Sequence, residues 1–329
     1  MTVKEELSRI DSRSQTSLSE NALPNFLIIG SAKCATSSLH YYLNQHPDVF
    51  MSAKKECHFF CHQEIDKRLY ESRYRPVDSL SNYLTFFRDG HQHRRRGESS
   101  PMYLYYTNAA SRIHTTIPDC KLIAVLRNPV DRAFSAYVHA VRDGLEPLTF
   151  EAAIDSERQR MNSGQFTPLQ AYVECGLYSQ KLAPFMELFD RNQILLIAYD
   201  EIKQDLSGVL KKACRFLDVG EDFEFNIKPK LNRSGVPRRK WLHRLTQNAA
   251  RDKFPFQYLK KPFTNDGWVR LVKGIEFWNY EKLKLTPDQR RWLMPRFVED
   301  INRLSSETGI DFLSMWTDPP MALTEGQTA

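Results

Sequence analysis

The chain lacks any apolar run approaching the roughly eighteen residues that a membrane-crossing helix needs. Its opening stretch, Met1 to Asn21, is polar and charged and has no apolar signal-peptide core. Cysteine is sparse, six in 329 residues. Without a secretory signal these read as reduced thiols rather than a disulfide framework. Charge of one sign is lacking too: 46 Lys and Arg stand against 40 Asp and Glu, a net +6. That excess is too modest for a nucleic-acid coat and points instead to anionic ligands. No internal repeat and no clear domain boundary breaks the pattern. What remains is 41% hydrophobic residues, enough for a sizeable core. The length suits one large α/β domain or two smaller ones.

Residues 26–38 carry the most information. Phe26 to Ile29 form a short apolar run of the buried-strand kind, and Gly30 ends it. A small-residue turn follows, Ser31-Ala32-Lys33-Cys34-Ala35, then Thr36, Ser37 and Ser38. Leu39, Tyr42 and Leu43 recur at helical spacing. A strand, a tight turn and a helix N-terminus make an anion site, because unpaired N–H groups and the helix dipole face the ligand. Lys33 adds a full positive charge. The order is not that of a Walker A loop, whose lysine directly precedes Ser or Thr. An ordinary strand-turn-helix connection is the competing reading of this stretch alone.

A second segment has the same design. Leu122 to Leu126 read as another buried strand, with Arg127 at its C-terminal end, where open parallel sheets bind ligands. Asn128-Pro129 is turn chemistry, and Asp131 is the expected helix N-cap. Ala133, Phe134, Tyr137 and Val138 make the apolar face of that helix, which also bears Ser135. A guanidinium fork and a hydroxyl suit a terminal phosphate.

The first segment resembles the 5′-phosphosulfate loop of sulfotransferases that use 3′-phosphoadenosine 5′-phosphosulfate (PAPS). The second resembles their 3′-phosphate segment, an Arg-x-Pro turn with Ser eight residues after the Arg. His46-Pro47-Asp48-Val49 with Lys55-Glu56-Cys57-His58-Phe59-Phe60, and Glu98-Ser99-Ser100-Pro101-Met102-Tyr103, are similar to segments of the heparan-sulfate-type and bacterial carbohydrate branch. Gly176-Leu177-Tyr178, Phe216-Leu217 and Asp311-Phe312-Leu313 with Trp316 also fit, so the resemblance spans about residues 24–316. It implies a single α/β domain, a central parallel β-sheet flanked by helices in the P-loop-kinase-like sulfotransferase fold. The expected organisation is a flexible arm over 1–23, the domain over 24–318 and a tail over 319–329. Animal Golgi members carry a membrane anchor, so its absence implies a cytoplasmic, bacterial enzyme or a shortened chain. Two departures stand out. Cys34-Ala35 replaces the usual small pair containing glycine, which would strain a position of positive φ. Ser99 stands where a second lysine is common.

The resemblance implies transfer of a sulfuryl group from PAPS to an acceptor hydroxyl, on a saccharide or a small or carrier-bound alcohol, without a metal. Lys33 would neutralise the leaving phosphate, Glu56 would be the general base, and His58 would orient the acceptor or share the proton transfer. An extended segment would point Glu56 and His58 to one side. Cofactor contacts are expected from Lys33, Cys34, Ala35, Thr36, Ser37, Ser38, Arg127, Ser135, Tyr178, Arg238 and Arg239. The last two lie in the basic stretch 228–261, which reads either as a solvated face or as a loop closing over PAPS. Cys57, His58, Cys61 and His62 crowd together, but adjacent residues do not easily reach one ion, so no metal site is read there. Nucleic acid is not an expected partner, and no oligomeric state is readable. A kinase-like phosphotransferase and a non-enzymatic module binding an anionic polymer are the alternatives.

Further elements follow from pattern: helices over 78–88, 107–116, 178–189, 200–217 and 286–309, a strand ending at Gly97–Ser100 and another over 193–198. Trp268, Trp278, Trp292 and Trp316 are expected in the core.

Overall fold

The computed structural model describes residues 23–65, 75–164, 167–227, 235–250 and 265–317. The expected arm up to residue 22, the tail from 318 and part of the basic stretch, including Asn232 to Ser234, lie outside the described residues. Its centre is a five-stranded sheet: β1 (Phe26–Gly30), β2 (Val49–Met51), β3 (Arg95–Ser99), β4 (Lys121–Leu126) and β5 (Ile194–Ala198). The order is β2-β3-β1-β4-β5 and every pairing is parallel.

Strand alternation divides the core into two layers. Leu27, Ile29, Leu122, Ala124, Leu126 and Leu196 face one side, while Phe26, Ile28, Ile123, Val125 and Ile197 face the other. The first side is covered by α2 (Leu80–Thr85), α4 (Ala109–Thr116), α7 (Tyr178–Leu188) and α13 (Val298–Thr308); the second by α1 (Thr36–Leu43) and α9 (Leu206–Phe216). Both faces of a parallel sheet must be covered in this way, which is why its strands read as continuous apolar runs. Gly97 is needed where β3 crosses β1, because a Cβ there would collide with the Phe26 ring.

The remaining helices are α3 (Met102–Tyr105), α5 (Pro129–Arg142), α6 (Phe150–Asn162), α8 (Tyr199–Gln204), α10 (Lys240–Ala250), α11 (Asn265–Asn279), α12 (Pro287–Leu293) and α14 (Phe312–Trp316). A small antiparallel pair, β6 (Val236–Pro237) with β7 (Tyr280–Glu281), closes the base of the α10–α11 hairpin.

Four local expectations are corrected. The helix expected over 200–217 breaks at Asp205, whose carboxylate accepts from the Gly208 N–H and starts α9. The helix expected over 286–309 breaks at Pro295, giving α12 and α13, and α14 follows it. The N-cap of α5 is Asn128, not Asp131. Its side chain accepts from the Val130 and Asp131 N–H groups, while Asp131 pairs with Arg290. Of the four tryptophans, Trp268 and Trp316 are buried, but Trp278 is 63% exposed and Trp292 37%.

Candidate active site

The loop after β1 ends at Ala35, the N-cap of α1, whose side chain offers no acceptor to the helix. No hydrogen bond is made by the N–H groups of Lys33, Ala35, Thr36 or Ser37 among the described residues. A helix start left this way is an anion cradle. Lys33 and Ala35 adopt φ of +73° and +66°. Of the Cys34-Ala35 pair that replaces glycine, Ala35 alone adopts positive φ and carries the expected strain, about 1 kcal/mol or more. Beneath the loop Cys34 is fully buried, its thiol 3.9 Å from the Tyr178 hydroxyl.

Arg127 comes from the end of β4. Its guanidinium donates to the Lys33 carbonyl at 3.4 Å and lies 4.8 Å from the centre of the Tyr199 ring. Its Nε is buried without an acceptor. Tyr178 holds this arrangement from below: its hydroxyl donates to the Arg127 carbonyl at 2.9 Å. Buried against Trp316, Tyr178 supports the loop through that contact. Ser135 sits in the second turn of α5, half-buried.

The Glu56–His58 segment is not extended. Both residues have positive φ, +63° and +54°. The two side chains still meet, with His58 Nε2 3.8 Å from Glu56 Oε2, so the pairing holds through left-handed turns rather than strand alternation. The backbone is held by β3: Glu56 N–H donates to the Ser99 carbonyl at 3.0 Å and His58 N–H to Ser100 Oγ at 2.9 Å. Ser100 in turn donates to Glu98, which also accepts from Tyr83 and Tyr103. Glu98 is thus the buried anchor of the whole segment. Ser99 Oγ, at the position where a lysine is common, is buried without a partner.

The electrostatics converge on Glu56. Burial pushes its carboxyl up, but Lys55, His58 and Lys33 outweigh this and leave it below the usual carboxylate range. Oε1 is paired with Lys55, which leaves Oε2 beside His58 as the freer oxygen. Lys33 is pulled down to about 8, first by burial and then by Arg142. Its ammonium has no hydrogen-bond or ion-pair partner among the described residues. His58 is lowered to about 4 by burial, against the pull of Glu56.

Three further residues enter that sequence reasoning missed. His40 on α1 and His139 on α5 are lowered to about 4 and about 3, chiefly by burial, and each feels Glu56. Both have a buried Nδ1 without a hydrogen bond. Arg142 follows on α5 and acts on both Lys33 and His139. Ser135, His139 and Arg142 stand at i, i+4 and i+7, one helix face, and that spacing was the available signal.

Arg238 and Arg239 are exposed at the base of the α10–α11 hairpin. Their N–H groups bond to Asn279, and Arg239 lies over Trp278 at 5.9 Å. No described contact brings either to the Lys33 loop. Cys57 and Cys61 are buried core thiols.

A model of the sulfotransferase domain matches residues 23–229. The chain belongs to the sulfotransferase family. A crystal structure of a sulfotransferase from Alicyclobacillus acidocaldarius superposes with a TM-score of 0.69 at 31% identity, covering 89% of this chain and 98% of that one. Among curated relatives, the membrane-associated sulfotransferase kil1 of Dictyostelium discoideum is 34% identical over 142 residues, 41% of this chain and 28% of its own length. The mouse heparan sulfate glucosamine 3-O-sulfotransferase 3B1 is 29% identical over 201 residues, 60% and 46% respectively. The chain therefore spans less than half the length of these two relatives. The expected fold and family are both met. No described helix is long and apolar enough to cross a membrane.

Proposed function

We propose that this sulfotransferase moves a sulfuryl group from PAPS to an acceptor hydroxyl, with Glu56 as general base. The observation that carries this reading is the convergence, among the described residues, of an unpaired lysine, an unpaired arginine nitrogen and an uncapped helix start at the C-terminal ends of β1 and β4, facing a carboxylate. These donors fit a ligand with one anionic group at the Lys33 loop and a second near Arg127 and Ser135. When bound, PAPS would supply an activated sulfuryl group on a phosphate leaving group.

The chain's own residues then divide the work. The free N–H groups of the loop, with the hydroxyls of Thr36, Ser37 and Ser38, bind the 5′ end. Cys34 and Ala35 keep the backbone close through their small size. Arg127 and Ser135 take the terminal phosphate. Lys33 holds positive charge where the leaving oxygen gains negative charge. Glu56 Oε2 accepts the acceptor's proton, and neutral His58 orients the hydroxyl beside it. His139 and His40, neutral too, enclose the site without competing with Lys33 for the anion. Positioning and electrostatics supply most of the catalysis in the related phosphoryl transfers; a sulfuryl group carries less charge than a phosphoryl group, so Lys33 and Arg127 are the cations this set offers to neutralise it.

Carbohydrate acceptors are favoured by the names of the curated relatives, including the human carbohydrate sulfotransferase 15. A cytoplasmic location and a place for Arg238 and Arg239 at the cofactor remain parts of the proposal. The test is transfer of labelled sulfate from PAPS to a panel of saccharide and alcohol acceptors. Transfer that depends on both Lys33 and Glu56 supports the reading; transfer untouched by Lys33→Ala overturns it.

A further inference from the structure

The α10–α11 hairpin carries a surface that the active site does not use. Its inner face is closed by Ala249, Trp268 and Val272, a small buried cluster separate from the main core, with Trp268 Nε1 donating to the Ala249 carbonyl at 3.3 Å. Its outer face is apolar and open to solvent. Trp241 is 58% exposed and Trp278 63%, with Leu245, Leu271 and Ile275 also exposed. They fall at i, i+4 on α10 and i, i+4, i+7 on α11, one stripe per helix. An open groove lined by Leu242, Leu271, Gly274, Ile275 and Trp278 joins the two stripes.

The charge of the chain is concentrated in the same segment. Residues 238–279 hold ten Lys and Arg against three Asp and Glu, a net +7, whereas the whole chain has a net +6; the described part of that stretch, 238–250 and 265–279, holds six against two, a net +4. The other 287 residues are therefore slightly acidic, at net −1. Large exposed apolar side chains beside a basic excess make the pattern of an interfacial helix pair: indoles seat at headgroup depth, and basic residues meet anionic lipid. A second copy of the chain would bring the same basic surface against itself, +4 against +4 on the described residues alone, which disfavours it. A soluble polyanion would use the charge and leave Leu245, Leu271 and Ile275 in water.

We infer that the outer face of this hairpin docks the enzyme peripherally on an anionic lipid bilayer. The inference does not rest on the proposed reaction. The test is sedimentation of the full chain with phosphatidylcholine vesicles, with and without about one-third phosphatidylglycerol, at rising salt. Binding to the anionic vesicles should exceed that to pure phosphatidylcholine by ~10-fold or more and fall with salt. The double variant Trp241→Ser, Trp278→Ser should lose ~10-fold or more of that binding with an unchanged melting temperature, since both side chains are exposed. Any one of three results overturns the inference: no preference for anionic vesicles, undiminished binding by the double variant, or a dimer in solution that the double variant dissolves.

Discussion

At the scale of single residues, the proposed chemistry turns on Lys33 and Glu56. Lys33 is pulled down to about 8, so it is mostly charged at neutral pH and loses its charge just above it. Glu56 is held below the usual carboxylate range and is ionised at neutral pH. The pH profile of kcat/KM should therefore be bell-shaped, its acid limb from Glu56 and its alkaline limb near pH 8 from Lys33. Lys33→Arg should lower the rate and move the alkaline limb upward. An alkaline limb that stays in place would assign it elsewhere. The same shift has a stability sign. Burial disfavours the ammonium in the fold, a penalty fully present below about pH 8 and gone above the ordinary lysine value. Lys33→Met should thus melt higher than the parent at pH 7 while losing turnover by orders of magnitude, with the gain shrinking near pH 10. A lower melting temperature at pH 7 would contradict the desolvation argument. Glu56→Gln keeps shape and removes basicity, so it should bind nucleotide normally and fail in single-turnover transfer. Lost nucleotide affinity would make Glu56 structural.

Lys33, Arg127, Glu56 and His58 were legible in the sequence because strand-loop-helix order and motif spacing are local signals. His40 was not, because it reaches the site only through the packing of α1; His139 and Arg142 left only their spacing with Ser135 on one helix face, which does not say what that face meets. Glu98 was visible as part of a motif, but its function as the buried acceptor of three hydroxyls is a tertiary fact.

At the scale of elements, the uncapped start of α1 and the buried anchor of β3 make opposite predictions. Ala35 sits at φ +66°. Ala35→Gly should be neutral to stabilising by ~1 kcal/mol, the relief of left-handed strain set against the greater freedom of glycine when unfolded. In the interior of a helix, as at Ala213 in α9, the same change should destabilise by ~1 kcal/mol. Urea titration of the two variants decides this, and a loss at Ala35 matching that at Ala213 would contradict the strain. Glu98→Ala should destabilise by about 3 kcal/mol or more, since it strands the buried hydroxyls of Tyr83, Tyr103 and Ser100. It should also lower turnover by loosening the Glu56–His58 backbone. A normal melting temperature would remove Glu98 from that role. Element type was readable wherever apolar runs were continuous, as in β1, β4 and β5. The breaks at Asp205 and Pro295 were missed because the apolar period runs on across both. Strand β2 was missed because three residues give too little alternation to count.

At the scale of the whole molecule, one parallel sheet places the two proposed anion sites at the C-terminal ends of neighbouring strands, β1 and β4. Their adjacency follows from the strand order and cannot be read from the distance of about ninety residues between Lys33 and Arg127 along the chain. The central claim is that these two sites read the two ends of one nucleotide. Calorimetric titration with 3′-phosphoadenosine 5′-phosphate and with adenosine 5′-monophosphate tests it most directly. Micromolar affinity is expected for the first, about 6 to 8 kcal/mol of binding free energy, and affinity lower by ~10-fold or more for the second. Arg127→Ala should erase the difference while sparing the monophosphate. Equal affinity of the unaltered enzyme for both nucleotides would contradict it.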